Sequence, residues 1–145
     1  MDRLINPSDY VLREVLNMAR KILIKSSAVG QIPAELYEDR NRKTADEIWN
    51  ALPIEAKASR WGDEIYFATD VDVPQEKAQE TVQVGELGYW PPGNAFCIFF
   101  GRTPASTDEK PRAASPVNVF GKVLDDPSIF KKVRDGDRIV IEKVT

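Results

Sequence analysis

Apolar residues recur along this chain with two different periods, and the changes of period mark its elements. After Asn6-Pro7-Ser8-Asp9, which supplies a cap, a proline suited to the first helical position and an early acid, Val11, Leu12, Val15, Leu16 and Ala19 repeat at helical spacing. Lys21 to Lys25 then reads as a first strand, and Ala28 to Tyr37 as a second, interrupted by Gly30 and Pro33. Helical period returns at Ala45, Ile48, Trp49 and Leu52, with Thr44 and Glu47 placed as a capping box and Pro53 as the stop. Trp49 lies within that stripe and reads as core.

From Ile54 the period becomes two. Ile54, Ala56 and Ala58 alternate with Glu55, Lys57 and Ser59, and the same alternation carried one step further points Arg60 toward the interior. Trp61-Gly62-Asp63 reads as a turn into Glu64 to Ala68, which completes a hairpin. Asp70 to Gln83 is polar and reads as an irregular connection. Glu86 to Trp90 is a strand stopped by Pro91-Pro92-Gly93, and Ala95 to Phe100 is apolar on both faces, as a covered central strand should be. Gly101 to Pro116 is a long polar stretch with Arg102, Arg112, Ser106 and Ser115, a length of loop that usually carries function or disorder. Val117 to Val123 is a further strand, Asp126-Pro127 caps a short helix through Val133, and Arg138 to Val144 is the last strand.

Composition narrows what such a chain does. At 145 residues with 42% hydrophobic content, one core is the expectation, with residues 1–20 as a helical extension and 21–145 as the β domain. The apolar stripe of the extension either packs on its own domain or makes a two-fold contact in a homodimer. A net charge of −3 leaves no global basic field for nucleic acid, and the longest apolar run is too short for a membrane span. The first residues lack the organisation of a signal peptide, and a lone cysteine, Cys97, fits a reducing compartment, so a cytoplasmic location is expected. The absence of histidine excludes Ser-His-Asp and Cys-His catalysis and imidazole metal sites. Asp70 and Asp72 alone read as a solvated acidic loop, and no metal or other cofactor is expected.

Four ordered blocks carry a resemblance: Ser59-Arg60-Trp61-Gly62-Asp63-Glu64-Ile65-Tyr66-Phe67, Gly88-Tyr89-Trp90-Pro91-Pro92-Gly93-Asn94-Ala95, Phe99-Phe100-Gly101-Arg102-Thr103-Pro104 and Ser115-Pro116-Val117-Asn118-Val119. From about Lys21 to Thr145 the chain resembles the stand-alone cyclophilin-like proteins of archaea and bacteria, a family of uncharacterised function. The resemblance implies a mainly β fold, a closed eight-stranded cyclophilin-like barrel with two or three short helices. It also implies the architecture of the peptidyl-prolyl isomerases, but fold alone does not transfer function. The isomerase Phe-His-Arg-x-Ile-Pro segment is absent here, so no catalytic residue carries over.

Two expectations follow. The first is a binding module in which Arg60, Trp61, Tyr66, Tyr89, Trp90, Phe99 and Arg102 gather at one barrel mouth around a small carboxylate, an amide-bearing metabolite or a peptide. The second is a weak prolyl isomerase in which Arg60 or Arg102 polarises the prolyl nitrogen.

Overall fold

Strand pairing converts the period-two pattern into faces, because in each ladder directly opposed residues share a side of the sheet. The computed structural model describes residues 19–144. The expected N-terminal helix, with its stripe at Val11, Leu12, Val15 and Leu16, lies outside the described residues. In chain order the elements are β1 (Lys21–Ser26), β2 (Gly30–Leu36), helix α1 (Arg42–Ala51), β3 (Ile54–Lys57), β4 (Ser59–Arg60), β5 (Glu64–Ala68), β6 (Gln79–Thr81) and β7 (Glu86–Trp90). β8 (Ala95–Phe99), β9 (Arg112–Val123) and β10 (Arg138–Lys143) follow, with short 3₁₀ turns at Pro91–Gly93 and Pro127–Lys132.

The fold is mainly β. The ladder runs β3-β10-β1-β2-β9-β7-β8-β5-β4, with β6 attached to β9 beside this path. β3 and β4, at its two ends, do not pair with each other, so the eight-stranded closed ladder is not what hydrogen bonding forms. The ends meet through the chain instead. Only Ala58 separates β3 from β4; its N–H donates to Asp137 O (2.8 Å), and its own carbonyl accepts from Gly136 N (2.8 Å). One bent stretch thus pairs with β10 in its first half and with β5 in its second.

Alternation along the strands gives the sheet two apolar faces. Ile65 and Phe67 of β5, Phe96 and Ile98 of β8, Leu87 and Tyr89 of β7 and Phe120 of β9 belong to the large inner core. There Phe67 stacks on Phe96 with centroids 5.1 Å apart, and Phe96 meets Phe120 edge-on at 5.2 Å. Ala95, Cys97 and Phe99 of β8, Val117 and Val119 of β9, and Val82 and Ala113 form a second cluster on the opposite face. β8 is buried on both sides, as its uninterrupted apolar run requires.

Three boundaries differ from the pattern. The segment after Asp70 contains β6, whose polar residues hide its strand character. β9 begins at Arg112, five residues before the valine run, because Ala113 to Pro116 reads as loop by composition. The helix starts at Arg42, and Thr44 sits buried inside its first turn. The expected capping box does not form. Asn41, in the left-handed conformation (φ 46°), precedes the helix, and the Glu76 carboxylate reaches over from a distant loop. It accepts from Thr44 N (2.8 Å), Lys43 N (3.3 Å) and the Thr44 hydroxyl, placing the anion at the helix N-terminus from outside the helix.

Candidate functional site

On the outer face of β5, β7 and β9 lies a cavity of about 220 Å³ lined by Trp61, Glu64, Tyr66, Trp90, Ala113, Ala114 and Val117. It opens on the side of the sheet away from the inner core rather than at a barrel mouth. Each wall has a local cause. Glu64 and Tyr66 are two apart on β5 and so share a face, opposite Phe99 and Cys97 of β8. Trp61 is fixed by a tight turn in which its N–H donates to Glu64 O (2.9 Å) and its carbonyl accepts from Glu64 N (3.2 Å). Gly62 occupies that turn at φ +62°, and a Cβ there would meet Pro104 Cδ at 2.8 Å and Thr103 Cα at 2.9 Å. The turn is therefore seated on the loop after β8, a close approach that only glycine permits.

Trp90 is held from two sides. Its indole N–H donates to Ser115 Oγ (2.7 Å), and its ring lies against Gly93, where a Cβ would come within 2.8 Å of Cε3 and Cζ3. The third wall comes from an irregularity in β9. Val117 pairs with Gln79 and Arg112 with Thr81, so two steps along β6 face five along β9, and the intervening residues bulge. Pro116, which has no N–H for a ladder, sits in that bulge with Ser115, and Ala113 and Ala114 face the cavity.

The polar group in this apolar setting is Glu64. The residue is 6% exposed, and its Oε1 is buried with no hydrogen-bond partner. No ion pair reaches it among the described residues. Burial pushes the carboxyl up to about 7, and the neighbouring Cys97 thiol, whose S–H is directed to Ala95 O (3.8 Å), opposes part of that rise. Burial and the Glu64 charge together push the Cys97 thiol well above its ordinary range, which leaves it an inert neighbour.

Of the seven residues expected at one mouth, Trp61, Tyr66 and Trp90 line the cavity. Arg60 does not. It pairs opposite Ile65, so the alternation that turned it inward also carries it to the other face of the sheet. There its guanidinium donates to the carbonyls of Gly62 (2.9 Å), Val133 (2.9 Å) and Lys131 (3.2 Å), meets Asp63 at 3.2 Å, and lies 5.0 Å over the Phe100 ring. Tyr89 is buried in the inner core, where its hydroxyl donates to Val71 O (2.7 Å). Phe99 is buried in the outer cluster beneath the cavity. Arg102 is 55% exposed and faces Glu109 at 3.5 Å. The expected arginine lining is therefore replaced by an acid. Sequence reasoning misses Glu64 because one glutamate starting a strand reads as solvent-facing; the available signal is its place two residues before Tyr66, on a strand neighbouring an all-apolar one.

The sequence model of the Cyclophilin-like family matches residues 20–142. The chain belongs to the cyclophilin-like family. The solution structure of a hypothetical protein from Archaeoglobus fulgidus is similar to this cyclophilin-like chain, with 41% identity over 87% of this chain and 95% of that one, and a TM-score of 0.73. No curated protein matches it. Among the described residues, no helix is long and apolar enough to cross a membrane, and no cluster of three or more acidic or cysteine side chains is arranged to hold a metal ion.

Proposed function

We propose that this cyclophilin-like chain is a binding module whose outer-face cavity receives a small, largely apolar group, from a metabolite or a peptide side chain, that presents a hydrogen-bond donor to Glu64. One observation carries the reading: a buried carboxyl with an unpartnered oxygen forms part of the wall of an aromatic cavity. Leaving such an oxygen unpaired costs about 1–3 kcal/mol, a cost that a ligand donor relieves on binding. Prearrangement of Trp90 by Ser115 and Gly93 supports it further, since a wall already held in place loses little entropy when it is filled. A carboxylate ligand is disfavoured here, because neither Arg60 nor Arg102 reaches the cavity and Glu64 would repel it. Prolyl isomerisation gains no support either, since the Arg60 guanidinium is occupied by backbone carbonyls on the other face of the sheet.

The test is a fragment screen followed through the indole N–H signals in NMR. Binding fragments are expected to move Trp61 and Trp90 while leaving Trp49 still, and Trp90→Ala should abolish the response in a folded protein. A screen in which every hit moves signals elsewhere would place the binding site outside this cavity.

A further inference from the structure

Resting on the reading of the cavity as a binding site, we infer that its occupant is an alkylated ammonium group, quaternary or nearly so. Three aromatic side chains, Trp61, Tyr66 and Trp90, share the lining with one carboxyl, and no guanidinium or ammonium stands among them. Aromatic faces carry negative potential and attract cations, most strongly where water is excluded. The remaining walls, Ala113, Ala114 and Val117, offer apolar surface and no side-chain hydrogen-bonding group.

The number of acceptors decides between kinds of cation. A primary ammonium brings three N–H donors into the site, and the lining offers one strong acceptor group, Glu64. A donor without an acceptor in the lining must keep its water, which holds the ammonium off the rings. Alkyl substitution removes donors, keeps the charge and adds methyl surface that fits the rings and the alanines. A neutral amide brings no charge, so it forgoes the attraction to the rings and to Glu64 that distinguishes a cation here.

Ionisation of Glu64 is coupled to such a ligand. The titratable groups facing it are the Cys97 thiol from β8 and the Tyr66 phenol on its own strand, while β9 contributes only apolar side chains. With burial holding the carboxyl near 7, a bound cation favours the carboxylate and releases a proton to the buffer at lower pH.

The experiment titrates choline and its uncharged carbon isostere, neohexyl alcohol, into the full chain and follows the Trp61 and Trp90 indole N–H signals. The expected result is choline binding at least about tenfold tighter than the isostere, tightening as pH rises through about 7. Glu64→Gln should abolish the pH dependence and shrink that preference several-fold, the rings keeping the remainder, while the isostere's affinity is unchanged, which also reports that the variant cavity is folded. Equal affinity for the two probes overturns the cation inference and leaves the cavity reading standing. If neither probe moves either indole while other fragments do, the cation inference fails alone; if no compound moves them, both readings fail.

Discussion

Two buried carboxylates stand on the same outer face of this sheet, and their surroundings are opposite. Glu86, at the start of β7, is 5% exposed and fully engaged: it accepts from the Tyr37 hydroxyl (2.8 Å), Arg40 Nη1 (3.0 Å) and Gln83 N (2.8 Å). Glu64, at the start of β5, is equally buried yet leaves Oε1 without a partner, beside a cavity instead of a cation. Glu86 ties β7 to the chain after β2 and pushes the Tyr37 hydroxyl far above its ordinary range, through burial first and the bond to Glu86 second. A carboxylate paired on several sides fixes structure. One that is buried without a cation costs stability, and it makes physical sense when something absent from the chain completes it.

The largest effect is expected at Glu86. Glu86→Ala strands the Tyr37 hydroxyl and the Gln83 N–H and should lower stability by about 4 kcal/mol, measured by urea unfolding at neutral pH. A loss below about 1 kcal/mol would mean that water replaces the carboxylate and that the two acids are not opposites.

Glu64 should behave the other way, and its sign depends on pH. Its folded-state value, about 7, is raised above the ordinary 4.5, so the folded form holds a proton that the unfolded chain has already released. The protonated acid's contribution is complete below about 4.5 and is lost as pH rises through about 7. Relative to Glu64→Gln, the unliganded wild type should therefore lose on the order of 3 kcal/mol between about pH 4 and about pH 8. Parallel stability curves for the two proteins across that range would show that Glu64 is solvated.

Arg60 sharpens the distinction between the faces. Its guanidinium closes the inner core over Phe100 and satisfies backbone carbonyls from the turn before β5 and from the Pro127–Lys132 segment and its end. Arg60→Ala should cost about 2 kcal/mol in thermal or urea unfolding and leave cavity affinity within about twofold. Loss of ligand affinity in a variant of unchanged stability would instead put Arg60 at the site.

What sequence reasoning could see follows from the same geometry. Period-two alternation is local, so it revealed most strands, the covered character of β8 and the inward turn of Arg60. The resemblance supplied the family, and Trp61, Tyr66 and Trp90 were legible as an aromatic set because they stand in its blocks. Which face each residue takes across neighbouring strands depends on register, and that placed Arg60 and Tyr89 away from the cavity. The bulge at Ala113 to Pro116 is set by β6 pairing with β9 at unequal spacing, a relation between segments some thirty residues apart. The cap on α1 is hidden for the same reason: Thr44 and Glu47 have the right spacing, but Glu76 arrives from far along the chain.

The smallest expected effect falls on Ser115. In Ser115→Ala the Trp90 indole loses its acceptor, while the ring keeps its seat against Gly93, where a substituted Cβ would collide. The net loss of one such bond should be about 1 kcal/mol, within reach of paired urea melts. Its larger consequence is for order: freed from Ser115, Trp90 samples rotamers that Gly93 alone does not exclude, and ligand affinity should fall a few-fold through the entropy of fixing the ring again. Broadening of the Trp90 indole signal in the unliganded variant, sharpening when ligand is added, would identify that cause. A sharp Trp90 signal with unchanged affinity would mean that Gly93 and the β9 bulge hold the wall unaided, and that Ser115 belongs with Glu86 among the groups that serve only the fold.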